Sequence, residues 1–212
     1  MEQENILNAL NWRYATKKFD TEKKLSENDL KFLLEAARLS PSSFGLQPWK
    51  IIVVENKEIR EKLKSAAWNQ PQVTEASHLL IFLAKKNLTE KDIDEYINLI
   101  SEERKVSRES LKDFENMLLA FINGANPQIL SEWSKKQAYI ALGTLLETAA
   151  LIKIDACPME GFDSIQFDAI LNLEKEGLTS TVLCAIGYRA VDDKAVKYKK
   201  VRFPTQKLII TK

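Results

Sequence analysis

The sequence predicts an α+β (mixed α/β) fold with helices in excess, and three observations carry that reading. Segments with helical spacing of apolar residues alternate with short runs rich in β-branched residues. Hydrophobic residues make up 45% and charged residues 29% of the 212, the composition of a globular chain with a substantial core. One long stretch, Leu130 to Ile152, is apolar on nearly every side and asks for burial all round, in the core or at a subunit interface.

The elements follow in order. Ile6, Leu7 and Leu10 share one face of an opening helix. Ser26 is an N-cap residue for a second helix, with Leu30, Leu33, Leu34 and Ala37 at positions i, i+3, i+4 and i+7. That helix should stop before Pro41, because the residue preceding a proline avoids the helical region. Strands are expected at Lys50 to Glu55 and His78 to Ala84, with a short helix around Lys57 to Ala67 between them. Glu90 to Phe121 reads as charged helix with a break near Ser107, followed by the apolar helix. The remainder alternates: a strand near Ile154, a short helix from Asp163, a strand from Thr179 to Tyr188, and a strand-like tail from Lys207 to Thr211. No repeat or linker interrupts the chain, so one domain over 1–212 is expected, with a variable helical excursion around 87–130.

Several function classes are disfavoured. A net charge of +1 supplies no global field for nucleic acid or an acidic membrane, so any anion recognition must be local. The polar start (Glu2, Gln3, Glu4) argues against a signal peptide, and Leu130 to Ile152 is interrupted by Glu147 and too short to span a bilayer. The two cysteines, Cys157 and Cys184, lie in apolar surroundings and form no C-x-x-C pair, which suggests buried thiols and a reducing, cytoplasmic setting. Six glycines include no G-x-G-x-x-G, and the P-loop pattern is missing. The single histidine, His78, excludes a His-based zinc site and weakens any Ser-His-Asp reading; on an apolar strand it reads as a packed, hydrogen-bonded imidazole. An enzyme with so few chemical groups of its own borrows them from a cofactor.

Four segments stand out: Arg13-Tyr14-Ala15-Thr16-Lys17-Lys18-Phe19, Ser40-Pro41-Ser42-Ser43-Phe44-Gly45-Leu46-Gln47-Pro48-Trp49, Pro158-Met159-Glu160-Gly161-Phe162, and Lys200-Val201-Arg202-Phe203-Pro204. Each alone reads as a solvated helix end, a turn, a loop or a surface charge pair. Together they suit a flavin mononucleotide. Arg13, Lys200 and Arg202 offer guanidinium and ammonium donors to a phosphate dianion. The Ser-rich turn and the Pro-x-Glu-Gly loop offer small polar groups and free amides to the ribityl chain and pyrimidine edge. Lys17 is a candidate cation for the N1 side of the ring.

With these four segments in order, from Asn8 to Pro204, the chain resembles the nitroreductase family of FMN enzymes, particularly the oxygen-insensitive NAD(P)H nitroreductases and their dihydropteridine-reductase-like relatives. The resemblance implies a mixed sheet flanked by helices in an intertwined homodimer with FMN at the interface. It implies cofactor contacts from Arg13, Tyr14, Ala15 and Lys17, and from Ser42, Ser43 and Gly45 of the other subunit. Further implied contacts are Asn69, Gln72 and Gln137, then Pro158, Met159, Glu160 and Gly161, and finally Lys200 and Arg202 on the phosphate. NADH or NADPH is the implied donor, in a ping-pong reaction with a nitroaromatic, quinone or related small acceptor. No membrane or nucleic-acid partner and no metal is expected. The flavin does the chemistry, so no side chain is expected as indispensable acid or base, with Lys17 and Glu160 the nearest candidates for tuning it. The alternatives are a flavin or dihydropteridine reductase on the same fold, or a flavin-binding carrier or sensor with little turnover. Two departures matter. Gly45 stands where the best-known members carry Asn, and Gln72 stands where they carry a lysine. The 87–130 segment gives no recognisable substrate pattern.

Overall fold

Two strands with apolar residues on both faces organise the molecule. The structure, a computed structural model, describes residues 3–212; Met1 and Glu2, part of the polar start read above, lie outside them. Strand β2 (His78–Lys85) and strand β4 (Leu178–Gly187) are buried almost end to end. They pair antiparallel in the middle of a four-stranded sheet, with β1 (Trp49–Val54) outside β2 and β3 (Asp155–Met159) outside β4. All three ladders are antiparallel; among the described residues the one parallel link is an isolated bridge between Ala15 and Ala156.

Because side chains alternate across a strand, β2 divides its residues between two cores. Leu79, Ile81 and Leu83 face α3 (Lys57–Ala66), α4 (Gln72–Glu75) and α8 (Ser164–Ile170) through Leu63, Val73 and Phe167. Leu80 and Phe82 face α2 (Glu27–Arg38) and α7 (Pro127–Leu151) through Leu33, Ala37, Ala141 and Leu145. A third core is built by α5 (Glu90–Arg104), α6 (Lys112–Gly124) and the start of α7, from Ile93, Ile97, Leu118, Ile122 and Leu130. It belongs to the excursion expected at 87–130.

Helix ends follow local chemistry. Ser26 Oγ accepts the Asp29 N–H, Asn56 Oδ1 accepts that of Ile59, and Asp163 Oδ1 accepts those of Ile165 and Gln166. The break near Ser107 is realised by Lys105, whose φ of 53° ends α5 in the left-handed region. Pro127 opens α7 at its first turn, where a missing N–H costs nothing.

One expectation changes, and two helices stand partly open in the single chain. Lys207 to Thr211 forms no strand: a short helix, α9 (Thr205–Leu208), precedes Ile209 and Ile210, which are 64% and 81% exposed. A strand needs a ladder partner, and within one chain this apolar run meets none. Helix α1 (Gln3–Trp12) packs against α7 and buries Ala9, while Leu7 stands 60% exposed. Helix α7 is also not enclosed on every side. Its strip Lys136, Tyr139, Ile140, Gly143 and Glu147 is exposed, at i, i+3, i+4, i+7 and i+11.

Candidate functional site

The Arg13–Lys17 segment leaves α1 and is fixed by a carboxylate from far along the chain. Tyr14 Oη donates to Asp193 Oδ2 at 3.0 Å, and the N–H groups of Lys17 and Lys18 reach the same oxygen at 2.9 and 3.2 Å. The Ala195 N–H donates to Asp193 Oδ1 at 2.9 Å. Burial pushes the Asp193 carboxyl up, but these donors outweigh it and hold the group below the usual carboxylate range. The Tyr14 phenol, buried and bonded to that carboxylate, is pushed up to about 12. A second staple lies beside it. Arg189 Nε donates to Asp155 Oδ1 at 2.7 Å, and the guanidinium covers the rings of Trp12 and Tyr14 at 4.3 and 4.6 Å.

Against this frame sits a cavity of about 390 Å³ whose lining includes Arg13, Tyr14, Ala15, Lys17, Lys200 and Arg202. Lys200 Nζ donates to the carbonyls of Leu10 and Arg13, which the end of α1 leaves without helical partners. Burial lowers the Lys200 pKa, and the positive charges of Arg13 and Arg202 lower it further. Among the described residues no carboxylate forms an ion pair with Arg13, Lys17, Lys200 or Arg202. Four cations thus share one hollow, and the field there is the kind an anion relieves.

From this cavity the sheet leads to the Pro-x-Glu-Gly loop. Cys157 on β3 is buried, which raises its thiol, while the charges of Lys17 and Arg13 pull it back. The Gln72 side-chain oxygen is buried without a donor. Beyond β3, Gln70 Nε2 donates to the Gly161 carbonyl at 2.7 Å. Trp68 and Asn69 precede it in left-handed conformations, with φ of 52° and 57°. The Trp68 ring lies where a side chain at position 161 would be, so glycine there lets the ring approach the loop closely. Met159 is buried, and Glu160 accepts a hydrogen bond from the Tyr139 hydroxyl of α7. Burial and that carboxylate raise the Tyr139 pKa.

The serine turn is a separate construction. The Ser43 N–H donates to Gln137 Oε1 at 2.8 Å, and Gln137 Nε2 donates to the Trp133 carbonyl at 2.9 Å. The Gln47 N–H donates to Ser42 Oγ at 3.1 Å, and its side chain reaches the Arg38 carbonyl at 2.7 Å. Ser42, Ser43, Gly45 and Gln137 therefore come together, but none of them lines the basic cavity.

Sequence reasoning missed Asp193, the hub of the first region. Its signal was present, since it caps the short turn Lys194–Lys197, but its partners lie 175 or more residues away. Asp155 and Arg189 were missed for the same reason. His78 stands as expected: packed and half-buried, with Nδ1 3.0 Å from Ser77 Oγ and Nε2 3.3 Å from Glu55, its pKa lowered by desolvation. The cysteines are buried and unpaired. Among the described residues no cluster suited to a metal ion occurs, and no helix is long and apolar enough to cross a membrane.

Residues 10–188 match the model of the Nitroreductase family. A Staphylococcus haemolyticus protein that bears, provisionally, the name NAD(P)H nitroreductase is 43% identical over 217 aligned positions, covering 98% of this chain and 97% of its own length. A provisionally named nitroreductase from Bacillus subtilis has a TM-score of 0.90 at 21% identity, covering 100% of both chains. Another from Exiguobacterium sibiricum, solved in complex with FMN, has a TM-score of 0.82 at 23% identity, covering 100% of this chain and 98% of its own.

Proposed function

The chain belongs to the nitroreductase family, and on that premise we propose that it is an FMN-dependent oxidoreductase drawing electrons from NADH or NADPH. The observation that carries this reading is the hollow where Arg13, Lys17, Lys200 and Arg202 gather with no carboxylate partner among the described residues. Such a donor set fits a phosphate dianion, and charge-assisted bonds from guanidinium groups are the strong kind. The S. haemolyticus relative's name speaks for the nicotinamide donor, and the E. sibiricum neighbour's bound FMN for the cofactor.

In this reading 1–212 is one FMN-binding domain. Arg13, Lys200 and Arg202 hold the phosphate, with Tyr14 and Ala15 beside it. Asn69 and Gln72 meet the pyrimidine edge; the orphaned Gln72 oxygen suits the ring N3–H, the one donor that edge offers. The backbone of Pro158 to Gly161 runs along the ring, and Lys17 places positive charge near N1, favouring the reduced, anionic form. Bound FMN would supply two-electron hydride chemistry, and the residues named here would hold it where a nicotinamide and then an acceptor could use the same site in turn. The protein's own part is to orient the partners and exclude water, with no acid or base of its own. A nitroaromatic, quinone or similar planar acceptor fits that scheme.

The same reading makes the protein a homodimer in which Ser42, Ser43 and Gly45 approach the partner's flavin. Two features support it: the serine turn stands apart from the basic cavity, and apolar residues at Leu7, Tyr139, Ile140, Ile209 and Ile210 are left open in one chain. The two buried, unpaired thiols favour a cytoplasmic setting.

The test is direct. The purified protein should be yellow, release FMN on acid treatment, bleach anaerobically with NADH or NADPH, and recover its colour on addition of a quinone or nitroaromatic. A colourless protein indifferent to added FMN refutes the reading. Bound FMN that no nucleotide bleaches reduces it to a flavin carrier.

A further inference from the structure

The serine turn is strained, and one residue of the excursion explains its form. Phe44 and Gln47 take φ of 58° and 44°, a region that side chains with a Cβ rarely enter, and Gly45 takes 78°. Strain of this kind persists only where surrounding contacts over-determine it. Here those contacts come from the α5–α6 excursion. Tyr96 on α5 donates its hydroxyl to the Phe44 carbonyl at 2.7 Å, while its ring stands edge-on to Phe114, 6.5 Å between centroids. The Phe44 ring packs on Phe121 and Trp133, at 5.4 and 6.5 Å. The Tyr96 hydroxyl also fills the space beside Gly45: a Cβ built there would overlap it and lie 3.3 Å from Cζ. Burial keeps the phenol above its ordinary range, so it remains a donor.

We propose that Tyr96 is a positioning residue for the serine turn, its hydroxyl replacing, from another helix, the side chain that position 45 lacks. The excursion is then the clamp that sets where the turn's backbone meets the flavin. This rests on the reading that the turn contacts FMN.

The proposal makes a signed prediction for two substitutions and their combination. Tyr96→Phe removes the donor but keeps the ring, and should weaken FMN binding about fivefold, the loss of one neutral hydrogen bond. It should also alter the visible circular dichroism of the bound flavin, which a purely structural role would leave unchanged. Gly45→Asn, a residue that tolerates the left-handed backbone, should weaken FMN binding more, roughly tenfold or beyond, because its Cβ meets the hydroxyl. In the double variant the obstruction is gone, so FMN should bind more tightly than in Gly45→Asn alone. FMN affinity and dichroism unchanged by Tyr96→Phe, or penalties that simply add, overturn the proposal. A wild-type protein that binds no FMN overturns the functional reading and with it the flavin-positioning role. The same cycle in thermal midpoints then decides whether Gly45 and Tyr96 are coupled at all.

Discussion

The basic cavity and the serine turn hold their shapes by different physics. In the cavity, charge is the organising quantity: four cations face one hollow, and a buried carboxylate, Asp193, gathers the backbone beneath them. In the turn the ties are neutral, from the Gln137 amide, the Ser42 hydroxyl and the Tyr96 phenol, and they hold the backbone in conformations it would not choose. The cavity is therefore left with uncompensated charge, whereas the turn's ties are made within the chain. A site assembled from both has its affinity supplied by one region and its geometry by the other.

The sharpest way to break this comparison is to place the two regions on different subunits. An Arg13→Ala chain and a Ser42→Ala, Ser43→Ala chain should each load FMN poorly as homodimers. Mixed to full exchange, the heterodimer carries one site with both defects and one with neither, so its flavin occupancy should return to about half of normal. Proven exchange with no recovery places both regions in the same subunit's site. The next largest effect belongs to the cavity alone. Arg13→Ala or Arg202→Ala should cost roughly 1.5–3 kcal/mol of FMN binding, about tenfold to a hundredfold, with little change in the thermal midpoint of the cofactor-free protein. Affinity unchanged in both variants, read by flavin fluorescence titration, would move the phosphate elsewhere.

A smaller effect tests the frame beneath the charges. Asp193→Asn leaves donors poorly matched, and denaturant unfolding should show a loss of about 1–3 kcal/mol. An equal loss in a Ser42→Ala variant would erase the distinction between the regions. The mildest test uses acid. The Asp193 carboxyl is held below its ordinary pKa, so its stabilising contribution is full above that ordinary value, near 3.8, and is lost as pH falls through the lower folded value. Amide exchange, corrected for its intrinsic pH dependence, should show Lys17 and Lys18 losing protection in that range while Ser43, tied to a neutral amide, keeps it. Simultaneous loss at all three would mean that the regions unfold as one.

Much of this was legible in the sequence because it is local. Ser26 announced its helix as a cap, and runs rich in β-branched and apolar residues announced β2 and β4. The four segments were found by their donor chemistry, which needs no tertiary structure to recognise. What stayed hidden depends on chain returning from a distance. Asp193 is an ordinary turn residue until the Tyr14–Lys18 backbone arrives beside it. Tyr96 sits in a segment with no recognisable pattern, yet its hydroxyl occupies the space beside Gly45, whose φ of 78° already favours glycine. The tail was misread because Leu208, Ile209 and Ile210 have strand-forming side chains but no edge to join within the chain. Local propensity names a conformation, and only a partner makes it pay.

The contact between Lys200 and the Arg13 carbonyl spans 187 residues, and that separation sets a clock. A chain made at about 5–20 residues per second needs roughly 10–40 s to deliver the second half of the cavity after the first. During that interval the Arg13 side of the hollow exists without its opposing wall, and no phosphate group can be gripped from both sides. With the phosphate held as proposed above, cofactor capture would thus be a late event in the making of this chain, waiting on the arrival of Lys200.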